Sequence, residues 1–254
     1  MSAAARTALV TGGARRIGKA IVEDLAAHGF AVAIHCNRSR REAASLVQEI
    51  RVAGGRAAVV EADLTDTAST GRLIQAATEA VGPVGLLVNN ASIFEKDTVQ
   101  TFDPAVANRH FAIHVTAPVL LARRFAEALP ASTEGLIVNI VDQRVWKPTP
   151  GYFTYTLSKS ALWAATRTMA QALAPAIRVN AIGPGPTLAS ARQDPNDFDA
   201  QVDGLILKRG PALAEFGATI RYLWDARSVT GQMIALDGGQ HLAWQTPDVT
   251  GMVE

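Results

Sequence analysis

Residues 7–18 read TALVTGGARRIG. The first half is apolar and suits a short strand. The second half is a glycine-rich turn that runs into IGKAIVEDLAA, residues 17–27, whose apolar positions recur at helical spacing. Gly12, Gly13 and Gly18 permit a tight turn and a close backbone approach to phosphate at a helix N-terminus. Unpaired N–H groups and the helix dipole favour an anion there. An ordinary strand-to-helix turn is the plain alternative. The position of the glycines, between a strand and an amphipathic helix, favours a nucleotide.

Working outward, short apolar runs alternate with longer helical patterns. Strands are predicted over 7–11, 31–36, 57–61, 86–89, 136–141, 178–180 and 233–236, and helices over 17–28, 41–53, 67–81, 104–129, 153–174 and 212–225. Most strands are apolar on consecutive positions, as expected when both faces of a sheet are covered. Strand and helix in repeated alternation predict a parallel sheet with right-handed crossovers. The pattern fills residues 1–254 evenly, so one doubly wound α/β domain is expected. Residues 183–210 are less periodic and read either as an excursion over a site or as a surface loop.

The second strand is followed by HCNRSRRE, residues 35–42, with no acid between Ala31 and Arg41. A free ribose 2′-hydroxyl usually meets an Asp or Glu near there. Asn37, Arg38 and Ser39, with Arg15 on the neighbouring turn, instead offer donors to a 2′-phosphate. This favours NADPH over NADH, against the alternative of a solvated basic surface. Asp63, before Leu64, reads either as an acceptor for an adenine amino group or as a helix N-cap. Asn89, Asn90 and Ala91 end the fourth strand, where side-chain amides can tie loops together.

Tyr155 and Lys159 stand four apart in YTLSK and share one helix face. A free tyrosine titrates near ~10. A lysine cation beside it favours the phenolate, so a lowered Tyr155 pKa is expected.

TGGARRIG, NNAS, YTLSK and IRVNAIGPGP resemble the motifs of short-chain dehydrogenases/reductases in order and spacing, from Thr7 to the LDGG that ends at Gly239. The resemblance implies a Rossmann fold with a seven-stranded parallel sheet, hydride transfer with a nicotinamide cofactor, and a homodimer or homotetramer. It implies cofactor contacts at Gly12, Arg15, Arg16, Ile17, Asn37, Arg38, Ser39, Asp63, Leu64, Asn90, Ala91, Ser92, Tyr155, Lys159, Pro184 and Gly185. His241 and Trp244 fall in a tail that in this family crosses a subunit interface.

Three positions depart from the family pattern. Arg16 replaces a glycine, Asp142 replaces the serine thirteen residues before the tyrosine, and His114 replaces the Asn four residues before Pro118. The first two, with the NRS motif and Phe94, resemble pteridine reductases and dihydromonapterin reductases. His114 resembles the dihydromonapterin branch. That subgroup reduces dihydropterins with NADPH, which implies Asp142, Tyr155 and Lys159 as the catalytic set and Arg16, Phe94, Asp142 and Tyr155 as substrate contacts.

The chemistry of Asp142 fits. A serine hydroxyl stabilises a ketone's oxyanion by donation, and a carboxylate would repel it. A pterin C=N bond develops charge on nitrogen and calls for a protonatable acid. Capping of the loop after its strand, with a carbonyl substrate, is the alternative. Phe94 would stack on a flat ring or lie in the core. Arg16 would reach phosphate and heterocycle, phosphate alone, or solvent. His114 would orient Lys159 through water or be a satisfied buried histidine. Trp146 and Trp163 read as packing.

Formal net charge is +1, which excludes a global field for nucleic acid or membrane. The histidines and the single cysteine, Cys36, form no metal-ligand motif. One cysteine and no long apolar N-terminal stretch predict a cytoplasmic protein. Two other functions remain open: a reductase of carbonyls such as an oxoacyl thioester or small ketone, and a nucleotide-sensing protein without chemistry.

Overall fold

The computed structural model describes residues 6–189, 195–246 and 250. Seven parallel strands, β1 (Thr7–Val10), β2 (Ala31–Cys36), β3 (Arg56–Glu61), β4 (Leu86–Asn89), β5 (Gly135–Ile140), β6 (Ile177–Pro184) and β7 (Met233–Leu236), form one sheet in the order β3-β2-β1-β4-β5-β6-β7. The helices are α1 (Arg16–Ala27), α2 (Arg40–Val52), α3 (Thr67–Val81), α4 (Pro104–Phe111), α5 (Ala117–Ala128), α6 (Phe153–Leu173), α7 (Pro195–Asp203) and α8 (Leu213–Asp225).

Alternate strand residues serve opposite faces, so each strand must be apolar throughout. Val10, Ile34, Val88 and Val138 pack with Ile21, Leu25, Leu46 and Phe216 of α1, α2 and α8. Leu9, Ala33, Leu87 and Ile137 pack with Leu73, Ile74, Leu121 and Phe125 of α3 and α5. Burying a side chain of this size contributes about 1.5–3 kcal/mol. Asp66 caps α3 by accepting from the Ala68 amide at 2.9 Å, and Asp103 caps α4 by accepting from the Ala105 amide at 2.8 Å.

Winding reverses between β1 and β4, which opens a crevice at the carboxyl ends of the strands. The predicted 104–129 helix is interrupted. Residues Ala112–Thr116 form a π-turn between α4 and α5. Pro118 has no N–H to pair with the His114 carbonyl at α spacing, which accounts for the wider turn. β6 runs to Pro184, beyond the expected 178–180, because the Gly183-Pro184 pair still ladders beside β7 as Gly183 and Pro184 align with Ala235 and Leu236. The stretch read as irregular, 183–210, contains α7. The start of its polar run, through residue 194, lies outside the described residues.

Candidate active site

Most expected nucleotide residues follow a strand's carboxyl end or open the helix behind it, while Pro184 ends β6 and Lys159 lies in the second turn of α6. After β1, Gly12 adopts φ +62°, and a Cβ there would meet the Ala91 backbone at 3.0 Å. A Cβ on Gly18 would meet Asn90 Nδ2 at 2.6 Å. Asn90 Nδ2 in turn donates to the carbonyls of Thr11 at 2.8 Å and Gly12 at 3.2 Å. The Thr11 hydroxyl accepts from the Asn90 and Ala91 amides at 2.9 and 3.0 Å. The glycine turn is thus packed against the end of β4 with no room for side chains, and its outer side faces the crevice. His35 braces it from β2. Its Nδ1 accepts from the Gly12 amide at 3.1 Å, and Nε2 donates to the Ala62 carbonyl at 3.1 Å.

Arg15 is the N-cap residue of α1 and lies 3.8 Å from Glu42. Arg16 opens α1 at φ 54°, a left-handed conformation that is costly for a side-chain-bearing residue. Its guanidinium donates to the carbonyls of Leu188 at 3.0 Å and Ala189 at 3.1 Å. It therefore ties the segment after β6 to the glycine turn. Ile17 packs half-buried on the core. Asn37 and Arg38 are exposed after β2, and Ser39 is buried as the N-cap residue of α2. Arg40 is paired with Glu61 at 3.1 Å.

Asp63 accepts from the Thr65 amide at 2.9 Å and hydroxyl at 2.8 Å. These bonds, the amide first, hold its carboxyl below the usual range. It caps this turn, while the N-cap of α3 is Asp66, so the N-cap alternative for Asp63 is corrected by three residues. Leu64 is buried beside it. Pro184 closes β6, and the Gly185 amide donates to the Leu236 carbonyl at 2.9 Å. A Cβ on Gly185 would meet Asp237 Cα at 2.7 Å. A glycine turn in which a Cβ on Gly12 or Gly18 would crowd Ala91 and Asn90, with the exposed Arg38 after β2, fits a dinucleotide.

The catalytic candidates meet on α6. A buried amide chain anchors it. Asn89 Nδ2 donates to Asn139 Oδ1, Asn139 Nδ2 donates to Thr166 Oγ1, and both bonds are 2.8 Å. Asp97 secures the other end by accepting from the Thr154 amide at 3.2 Å with each carboxylate oxygen. The Tyr155 hydroxyl donates to Asp142 Oδ2 at 2.8 Å. Lys159 Nζ donates to the Ile140 carbonyl at 2.8 Å and lies 5.7 Å from the centroid of the Tyr155 ring. Asp142 Oδ1 also accepts from the Arg144 amide at 2.9 Å.

Burial raises the Asp142 pKa against the pull of that amide, the Tyr155 hydroxyl, Arg144 and Lys159. Burial also lowers Lys159 to about 8, with Asp142 opposing. The expected lowering of Tyr155 is corrected. Burial first, then the Asp142 charge and hydrogen bond, raise it well above its ordinary value. The ammonium points to a backbone carbonyl, and a carboxylate occupies the phenol's hydroxyl end. In this state Tyr155 is a neutral donor and Asp142 its acceptor.

Phe94 is 38% exposed, so it belongs to the cleft surface and not to the core. It stacks on Tyr152 with centroids 4.1 Å apart and meets Tyr155 edge-on at 4.7 Å. Arg144 covers the Tyr152 ring at 5.3 Å. Tyr152 holds φ 57°, a strained backbone for a bulky residue and one that clusters at functional sites. The motif reading missed Tyr152 and Arg144. Their nearness to Tyr155 and Asp142 in sequence was the only signal. Trp146 contacts Trp163 and His241 but is 42% exposed, so it lies at the surface and not in the core. His241 Nδ1 lies 2.6 Å from buried Asp237, and Trp244 is exposed.

The family model for short chain dehydrogenase matches residues 6–199, and the chain belongs to the short-chain dehydrogenase/reductase family. A solved structure of FolM alternative dihydrofolate reductase 1 from Brucella suis, in complex with NADP, is 61% identical. It superposes with a TM-score of 0.94, covering 96% of this chain and 98% of that one. Pteridine reductase 1 of Leishmania tarentolae is 31% identical over 95% of this chain and 98% of its own length. L-xylulose reductase of Bos taurus is 33% identical over 93% of this chain and 96% of its own. The pteridine reductase-like subgroup that the motifs resemble is therefore represented among the relatives. Among the described residues, no helix is long and apolar enough to cross a membrane, and no cluster of ligands could hold a metal.

Proposed function

We propose that the protein is an NADPH-dependent reductase of a dihydropterin-like heterocycle. The hydrogen bond between Tyr155 and Asp142 carries this reading. Where a ketone reductase presents a hydroxyl, this site presents a carboxyl whose proton affinity burial has raised. Such a group can hold a proton and hand it to a ring nitrogen. Tyr155 keeps its own proton and donates to a second polar atom. Phe94 has one face on Tyr152, and its remaining exposed surface would meet the flat ring.

The glycine turn and Arg38 would hold the dinucleotide's phosphates, and Lys159 and Asn90 would serve its nicotinamide half. When bound, NADPH supplies the hydride. A C=N bond that receives it at carbon takes one proton at nitrogen and becomes CH–NH, which balances the reaction. The 61% identity to a protein named as an alternative dihydrofolate reductase supports the same substrate class.

We further take the protein to be a cytoplasmic homodimer or homotetramer. Support comes from the single cysteine and from exposed Phe111, Val119 and Leu157 on α4, α5 and α6. Following NADPH absorbance with a panel of dihydropterins and of carbonyl compounds tests the function. Turnover of pterins supports it, and turnover of carbonyls alone removes it.

A further inference from the structure

His114 replaces the family's Asn and sits on the π-turn, 1% exposed. Its hydrogen bonds fix its tautomer. The Ser158 hydroxyl has one proton and donates it to the Tyr155 carbonyl at 2.8 Å. Ser158 Oγ must therefore accept from His114 Nδ1, 2.8 Å away. With Nδ1 protonated, neutral His114 has a bare Nε2. That atom accepts from the Ile93 amide at 3.3 Å, a donor that cannot reverse. The Ser92 hydroxyl, 2.9 Å away, gives its one proton to that nitrogen in preference to the Ile93 carbonyl at 3.3 Å. A proton on Nε2 would face the Ile93 amide. Lys159 does not bond to it.

The ring also sits between two aromatic neighbours. His110 stacks on it with centroids 5.5 Å apart, and Tyr155 meets it edge-on at 5.4 Å. His110 is itself fixed to the Thr154 hydroxyl at 2.9 Å, so the stack is tied to the first turn of α6. Burial first, then Lys159 and His110, disfavour the imidazolium.

We propose that His114 is a positioning residue, a neutral imidazole of fixed tautomer that pins the Ser92–Phe94 segment to the helix carrying Tyr155 and Lys159 and moves no proton. The function it serves is the setting of Phe94 against Tyr155. A flat substrate needs that setting at Phe94, whereas the neighbouring nucleotide residues Asn90 and Ala91 are held separately by the Thr11 hydroxyl. The kinetic part of this inference rests on the pterin reading, and the spectroscopic part stands without it.

His114→Asn keeps an atom near Nδ1 but cannot reach Ser92. The expected result is a KM for 7,8-dihydrobiopterin raised about tenfold, with kcat and NADPH Kd within about threefold and both limbs of the pH profile in place. Ser158→Ala, which removes the other anchor, should raise KM in the same direction and serves if the first variant fails to fold. Nitrogen-15 spectra of histidine-labelled protein should show one neutral Nδ1–H imidazole that does not titrate between pH ~5 and ~9. A titrating His114, a pH limb lost in His114→Asn, or an unchanged KM in every folded variant would overturn the proposal. If the wild-type protein turns over no dihydropterin, the functional reading fails, and the spectrum still decides the tautomer.

Discussion

The hydroxyl of Tyr155 donates to the carboxylate of Asp142 at 2.8 Å, and this bond joins the first turn of α6 to the end of β5. It makes the two residues one acid–base unit. Asp142→Asn preserves the shape and removes the transferable proton. Its expected effect on dihydropterin reduction is a fall in kcat of ~10²-fold or more, the scale of a lost general acid. NADPH affinity, read by fluorescence titration, should change little. Asp142→Ser should favour carbonyl substrates at the expense of pterins. A serine variant that reduces both classes as the wild type does would contradict the assignment.

Lys159 is ionised below about 8, and burial is the cause of that low value. Activity that needs the ammonium should decline as pH rises through about 8. Stability moves the other way. Between about 8 and the unfolded lysine's 10.5, the unfolded chain binds more protons than the folded one, so stability rises with pH. Parallel rate and urea-denaturation profiles check this. A rate that falls only together with stability would show unfolding and not ammonium loss. Lys159→Met should abolish both dependences.

The regular parts of this fold were legible because each depends on a short run of sequence. Leu9 and Val10 are adjacent and face opposite cores, which only a doubly covered sheet accommodates. The placement of Gly12 beside Asn90, and of Lys159 beside Tyr155, was legible because close backbone approach and spacing along a helix set it. The rest was not, because it depends on contacts distant in sequence. Arg16 reaches carbonyls more than 170 residues away, at Leu188 and Ala189. Tyr155's raised pKa follows from Asp142 at its hydroxyl and from burial, neither of which the Tyr–Lys spacing reveals. The π-turn needed Pro118 to be read against the carbonyl of His114.

His35 gives the fold an acid-sensitive point at the nucleotide crevice. Burial lowers its pKa to about 4 from an ordinary 6.5, against weaker opposing effects of the Ala62 carbonyl and Asp63. Its Nδ1 must stay bare to accept from Gly12. Because the folded-state value lies below the unfolded one, the unfolded chain binds the extra proton first. Stability is lost as pH falls from 6.5 toward about 4. At ~1.4 kcal/mol per pH unit, the loss is about 3 kcal/mol. His35→Asn, whose amide oxygen can still accept from Gly12, should flatten this part of the stability profile. Denaturation midpoints of the two proteins across that range are the measurement, and parallel curves would contradict the brace.

Arg38 should carry the preference for the 2′-phosphate. Two neighbouring arginines have carboxylate partners, Arg15 with Glu42 at 3.8 Å and Arg40 with Glu61 at 3.1 Å. Arg38 is exposed after β2, close enough to Asp63 to help hold its carboxyl down, so its charge lies beside the turn that follows β3. A charge-assisted hydrogen bond contributes about 1.5–3 kcal/mol, or roughly ten- to a hundredfold in affinity. Arg38→Ala should therefore raise the Kd for NADPH by about that factor and leave the Kd for NADH unchanged. Arg15→Ala should do less, because Glu42 already offsets much of that charge. Calorimetric titration with both nucleotides separates the cases. An equal loss for NADPH and NADH in Arg38→Ala would place the residue on the shared pyrophosphate, and the source of the preference would then have to be sought at Asn37 and Ser39.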